Sequence, residues 1–255
     1  YQIDKMYTEY INRGFSILIQ RQNTTSKLDL DIFKNKIINR IPFAIIRPSG
    51  GEYHILQNKT ITNCDNWTFE SGGKLYNDLK SAIELAVKTS CYIGIPSESD
   101  NKSVAEWYYK TFNLHPYYTT FANIFVNANW NNFIEFLNNQ KIVFTYIGPS
   151  NNPSSFFIEN FIQIPEFLVN DWDTKCNEYM DKIQSIIVKS VNKIFLFACG
   201  PLSKIFIAQA WAKHPYNIYL DIGSSLDLFL KGSTNRYYTT GDQTYSYFTP
   251  SLITL

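Results

Sequence analysis

The chain has few of the residues that mark metal, disulfide or polyanion chemistry: four cysteines, three histidines and a net charge of only +1 in 255 residues. Cys64, Cys91, Cys176 and Cys199 form no Cys-x-x-Cys pair, and His54, His115 and His214 are too scattered to complete a zinc-type cluster or a catalytic triad. Scattered thiols in a chain of this size fit reduced, packed cysteines and a cytoplasmic location. The 23 basic and 22 acidic residues nearly cancel, and no Lys/Arg run is dense enough to follow a phosphate backbone. Nucleic acid is therefore not expected as a partner. No apolar stretch reaches the ~18 residues of a membrane span. The sequence contains no Gly-x-Gly-x-x-Gly fingerprint, no Walker A loop and no repeat of fixed period. Asn-x-Ser/Thr triplets at Asn58, Asn66 and Asn101 follow from the abundance of asparagine. The N-terminus Tyr1-Gln-Ile-Asp-Lys5 has no initiator Met and no signal-type apolar core, as expected either of a trimmed chain or of one domain of a longer polypeptide.

What is present is a 45% hydrophobic chain with 18 Tyr and 19 Phe, enough to bury a substantial core. Short apolar runs alternate with helical patterns. Phe43–Ile46, Cys91–Pro96, Lys141–Ile147, Ile194–Ala198 and Ile218–Ile222 read as strands. Phe121–Val126 reads as a strand or short helix. Leu75–Val87 is the clearest helix, with Leu75, Leu79, Ala82, Ile83, Ala86 and Val87 on one face. Further helices are expected over Leu28–Ile38 (Leu28, Ile32, Phe33, Ile37 and Ile38 inward), Ser103–Phe112, Asn131–Leu137, Trp172–Val191 and Leu202–Ala212. The alternation predicts an α/β fold with one Rossmann-like, mainly parallel sheet flanked by helices. The organisation expected is an N-terminal arm and helix over 1–40, the α/β domain over 41–235, and an aromatic tail over 236–255 packed on it. Within the α/β domain, the polar loop Gly148–Ser155 reads as a linker or an active-site loop.

Two glycine-bearing turns stand at strand ends about 150 residues apart, where an open α/β sheet offers backbone N–H groups to a phosphate-bearing ligand. In the first, Arg47-Pro-Ser-Gly-Gly-Glu52, Gly50 and Gly51 allow close backbone approach and Arg47 could pair with phosphate oxygens. Glu52 could hold a sugar hydroxyl, bind a divalent metal or act as a base; a turn with a surface Arg–Glu pair would read the same. In the second, Cys199-Gly-Pro-Leu-Ser203, Ser203 and the N–H groups beyond Pro201 could cap a helix or receive a diphosphate. Cys199 is expected to be a packed thiol. Asp221-Ile-Gly-Ser224 and Asp227 put two carboxylates at a further strand end, each a candidate base or hydroxyl ligand, with helix capping as the alternative for Asp227. Asp65 could meet a sugar hydroxyl while Trp67 supplies an apolar platform; an Asx-turn with a packed Trp is the alternative. Trp107 and Tyr108 are further candidates for sugar faces, or for core.

These segments resemble the GT-D class of glycosyltransferases, once catalogued as domain of unknown function 1792. The family's strand into Arg-x-Gly-Asp-Gly-Glu is similar to Arg47-Pro-Ser-Gly-Gly-Glu52. Its apolar strand into Gly-Pro is similar to Gly200-Pro201, and its Asp-Ile-Gly-His segment to Asp221-Ile-Gly-Ser224. The similarity spans residues 40–230. It departs at Gly50, where the family's Asp-x-Glu pair has its first carboxylate, and at Ser224, where the family has His. The resemblance implies a GT-D-like fold and transfer of a sugar from a nucleoside diphosphate sugar, UDP-sugars favoured, to a hydroxyl on a glycan or glycoprotein acceptor. Arg47, Gly50, Gly51, Gly200, Ser203 and Ser224 would bind the donor, and Glu52, Asp65 and Asp221 would be catalytic. Mn2+ or Mg2+ is the metal such a site would use, and the missing carboxylate puts that use in question. A catalytically inactive nucleotide- or glycan-binding module and a structural domain of a larger polypeptide are the alternatives, with homo-oligomerisation or fusion to further domains compatible with each.

Overall fold

The computed structural model describes residues 25–63, 66–149, 156–232 and 234–239. Its centre is a seven-stranded sheet: β1 (Phe43–Ile46), β4 (Tyr92–Ile95), β5 (Thr119–Phe121), β6 (Phe144–Gly148), β7 (Ile158–Gln163), β8 (Ile194–Phe197) and β9 (Ile218–Asp221). The order across the sheet is β5-β4-β1-β9-β8-β6-β7, and every neighbouring pair is parallel. A separate antiparallel pair, β2 (Ile61–Thr62) with β3 (Thr68–Phe69), stands beside it.

Side chains alternate across the sheet with period two, so each strand feeds two cores. Ala44, Ile46, Ile93, Ile95, Phe195 and Phe197 point into one. It is closed by helices α3 (Lys74–Lys88), α4 (Glu98–Phe112), α6 (Trp172–Ile187) and α7 (Leu202–Lys213). Phe43, Ile45, Phe144, Tyr146, Leu196 and Leu220 point into the other, closed by α1 (Ser26–Ile38) and α5 (Trp130–Asn139). Burial on both faces explains why the central strands are apolar throughout rather than alternating. The expected α/β architecture is thus present, as a wholly parallel main sheet.

Several local expectations are corrected. Helix α1 buries Leu30, Phe33 and Ile37, whereas Leu28, Ile32 and Ile38 are about half exposed. The inward stripe is therefore rotated from the apolar count. Helix α6 stops at Ile187, and the residues after Phe121 form turns rather than strand. The strand β7 and the β2–β3 pair were not anticipated. Residues 1–24 and 240–255, which hold the expected arm and most of the tail, lie outside the described residues, as do 150–155 of the polar loop. Among the described residues, no helix is long and apolar enough to cross a membrane.

The chain leaves β1 towards β4 on one side, while β9 is entered from β8 on the other. That reversal opens a crevice beyond the carboxyl ends of β1 and β9, the position where ligands bind in open parallel sheets. A cleft of about 890 Å³ lies there, lined by residues just past five strand ends: Arg47, Pro96, Ala122, Pro149 and Ala198.

Candidate functional site

The two glycine turns meet in this cleft. Gly51 and Glu52 line it from helix α2 (Gly50–Leu56), and Gly200, Pro201 and Lys204 line it from the turn opening α7. Trp67 is wedged between them: a Cβ on Gly51 would sit 3.5 Å from its ring, and one on Gly200 3.6 Å from its Nε1. Trp67 is therefore both core and cleft wall. The other aromatic candidates are core: Tyr108 is fully buried and donates to the Ser49 carbonyl at 3.0 Å, and Trp107 packs on Tyr53, Tyr108 and Phe112.

Arg47 does not present its guanidinium freely to a ligand. Its Nε donates to the Asp221 carbonyl and its Nη1 to the Ala122 carbonyl at 2.5 Å, with the Phe125 ring 5.7 Å away. Its backbone N–H donates to Asp221 Oδ2 at 3.0 Å, so Arg47 ties the end of β1 to β9 and to the exit of β5. Gly223 has φ +53°, and a Cβ there would collide with Arg47 Nη2. Only glycine meets both the left-handed backbone and the close approach.

The residue that sequence reasoning missed is Lys204. Helix α7 is apolar nearly all round because it is wedged between the sheet and other helices, and Lys204 is the sole charged residue from Gly200 to Ala212. Its ammonium is 2.8 Å from Glu52 Oε1, 2.9 Å from Asp221 Oδ2 and 3.1 Å from the Gly200 carbonyl. All three ammonium protons thus have acceptors. An isolated charge in a buried apolar helix was the available signal, since burial is tolerated only when the charge is paired.

The remaining carboxylate oxygens are also occupied. Glu52 Oε2 accepts from the Ser49 N–H at 3.0 Å and the Ser49 hydroxyl at 3.1 Å. Asp221 Oδ1 accepts from the Gly223 N–H at 3.3 Å and faces Arg47 Nη2 at 4.0 Å. Two carboxylates and two cations make the floor formally neutral. Burial opposes charge on Glu52, but Lys204 and the Ser49 donors outweigh it and hold the carboxyl below its ordinary range. Burial likewise opposes the Lys204 charge, and Asp221 and Glu52 more than compensate, holding the ammonium above its ordinary value.

The other expected site residues divide. Gly51, Glu52, Gly200 and Ser224 line the cleft with Arg47. Ser203 is fully buried, its hydroxyl accepting from the Cys199 N–H at 2.9 Å, so it shapes the turn instead of reaching a ligand. Asp221 is fully buried beneath the floor. Gly50 is exposed beside the cleft without lining it. Cys199 is a packed thiol, pushed up to about 12 by burial. Asp65 lies outside the described residues. On the rim, Ser224 Oγ and Tyr238 Oη are 2.8 Å apart, and Lys231 pairs with Glu166 at 3.0 Å and Asp227 at 3.3 Å. Arg236 and Asp227 line the cleft beside them.

This donor set does not suit a divalent metal. Hard cations need several free oxygen ligands. Every carboxylate oxygen of Glu52 and Asp221 already accepts from protein, and a cation between them would face the Lys204 ammonium. Among the described residues, no three His, Cys, Asp or Glu side chains converge as a metal cluster.

No protein-family model matches the sequence, and no curated protein matches it. Solved structures do. A selenomethionine-substituted domain of unknown function 1792 superposes with a TM-score of 0.52 at 15% identity, covering 89% of this chain and 91% of the other. The fold is GT-D-like. A structure described as the highly conserved domain of unknown function 1792 with a distinct glycosyltransferase fold gives 0.50 at 16% identity, over 84% of this chain and 86% of the other. A structure described as a new glycosyltransferase (DUF1792) from Streptococcus sanguinis gives 0.51 at 14%, over 84% and 91%. At these identities the similarity establishes the fold.

Proposed function

We propose that this protein is a glycosyltransferase that moves a sugar from a nucleoside diphosphate sugar, a UDP-sugar favoured, to a hydroxyl on a glycan or glycoprotein. The observation that carries the reading is the cleft at the β1/β9 reversal, where turns from distant parts of the sequence bring Gly51, Gly200 and Glu52 to one wall. A cleft of about 890 Å³ is of the size that takes a nucleotide-sized ligand. The same fold is carried by a protein described as a glycosyltransferase and by a domain described as having a glycosyltransferase fold.

In this reading the backbone N–H groups of Gly51 and Gly200 take the diphosphate, with the base and ribose against Trp67. Arg47 braces the floor of the crevice by tying the end of β1 to β9 and to the exit of β5, and Lys231 and Arg236 stand on the rim beside Glu166 and Asp227. Preorganised charge and donors at the departing diphosphate are the main catalytic contribution such a site can make. Asp227, on the cleft wall, is better placed to receive an acceptor proton than the enclosed Asp221, with Glu52 positioning the sugar and Asp65 the third carboxylate to test. The three described cysteines are free and buried, in keeping with the cytoplasmic setting proposed here.

A binding-only module is the second reading, favoured by the engagement of both Glu52 and Asp221 with Lys204. One experiment separates the two. UDP-, GDP-, dTDP- and CMP-sugars are screened by thermal shift, and any that bind are followed for hydrolysis. A ligand at 100 times its Kd stabilises the native state by about 2.7 kcal/mol. A shift with slow hydrolysis supports the transferase, and a shift without turnover supports the module. Absence of any shift removes both.

A further inference from the structure

We infer that Lys204 fills the cation position between Glu52 and Asp221, so that the cleft takes a nucleoside diphosphate without a divalent metal. The inference rests on the donor class proposed above, but its observations are separate. The Lys204 Nζ bridges Glu52 Oε1 at 2.8 Å and Asp221 Oδ2 at 2.9 Å, so the space between these two carboxylates is already held by a cation. At Gly50 the resemblance leads one to expect an aspartate, and none is present. A Cβ added to Gly50 would meet nothing within 4 Å, so the backbone there is open to a side chain. The absence of a carboxylate at Gly50 and the presence of the Lys204 ammonium act in the same direction. With Glu52 and Asp221 matched by Lys204 and Arg47, the floor has no net charge left to attract a dication.

Lys204 is a positioning residue here. Its three protons are used within the protein, so it sets the two carboxylates and the Gly200 carbonyl, and through them the turn that opens α7. The arrangement gives the cleft a permanent floor, whereas a metal-bound floor would assemble with its ion.

Two measurements test this. The first uses Mn2+ alone, followed by electron paramagnetic resonance, with wild type, Lys204→Met and the double variant Gly50→Asp/Lys204→Met. Wild type is expected to bind no Mn2+ tighter than about 1 mM, the weak end for protein sites of hard cations. The double variant is expected to gain one bound ion, at least about tenfold tighter than any in wild type. Stoichiometric Mn2+ on wild type at micromolar concentrations, or no gain in a folded double variant, overturns the inference. If the variants do not fold, the wild-type titration still decides.

The second measurement is calorimetry of UDP binding to wild type in EDTA and in Mn2+. Affinities within about threefold of each other support the inference, and a tightening of about tenfold or more with Mn2+ overturns it. Failure of UDP to bind in either condition counts against the donor proposed above, while the Mn2+ titration independently settles the cation.

Discussion

The Lys204 ammonium and the Asp221 carboxylate lie 2.9 Å apart, both shielded from solvent, one on the first turn of α7 and the other at the end of β9. Glu52, on helix α2, completes the bridge. The contact ties the turn that opens α7 to the end of β9.

Removing one member of such a network leaves its partners charged and dry. Lys204→Met should therefore cost about 3–5 kcal/mol of stability, the usual penalty for breaking a buried ion pair from one side. Urea unfolding followed by tryptophan fluorescence reads the loss directly. A cost under about 1 kcal/mol would mean that the bridge is solvated in solution.

The network also sets a pH window. The folded-state pKa of Glu52 is depressed, so its contribution is present above the ordinary glutamate range and disappears as pH falls through the lower folded value. Lys204 is held above its ordinary value of 10.5, so its contribution is complete below that pH and is lost as pH rises through the folded value. Stability should be flat in this respect across neutral pH, with an acid limb that Glu52→Gln reduces. Urea midpoints at several pH values between about 3 and 8 check the slope. An unchanged acid limb in Glu52→Gln would remove Glu52 as its source.

How much of this was readable in the residues depends on where each one is buried. Phe43–Ile46 and Ile194–Phe197 are covered on both faces, which leaves uniform apolar runs that announce strands without help from the rest of the fold. Edge strand β7, Ile158-Glu-Asn-Phe-Ile-Gln163, is open to solvent at several positions and carries no such run. Exposed Leu28, Ile32 and Ile38 misled the count on α1, because apolar residues outside a core carry the same letter as those inside. At the site, glycines and carboxylates were legible from their place at strand ends. Their partners were not: Lys204 and the carbonyls that take up Arg47 come together only through the order of strands in the sheet.

Gly223→Ala tests the close packing around Arg47. The left-handed φ alone costs about 1–3 kcal/mol for a side chain, and the added methyl must also displace the Arg47 guanidinium. A loss of at least about 2 kcal/mol in chemical unfolding is expected. Stability equal to wild type would show that the turn can relax away from Arg47.

Cys199 should be inert. Burial raises its thiol to about 12, and its S–H donates to the Ile147 carbonyl at 3.3 Å. At pH 8 only about one part in ten thousand is then thiolate, the reactive form. Iodoacetamide labelling followed by peptide mass spectrometry should find Cys199 unmodified in the native protein and modified in urea. Rapid native labelling would mean that the turn opens readily.

Helix α7 belongs to the structural interior along most of its length and to the cleft through its first turn alone. Alteration of that turn is thereby coupled to the integrity of the whole domain, which leaves little freedom for variation there. Pro149, Glu166 and Arg236 border the same space from outside that helix. Divergence in what the cleft accepts can accumulate in those borders while its foundation stays as it is.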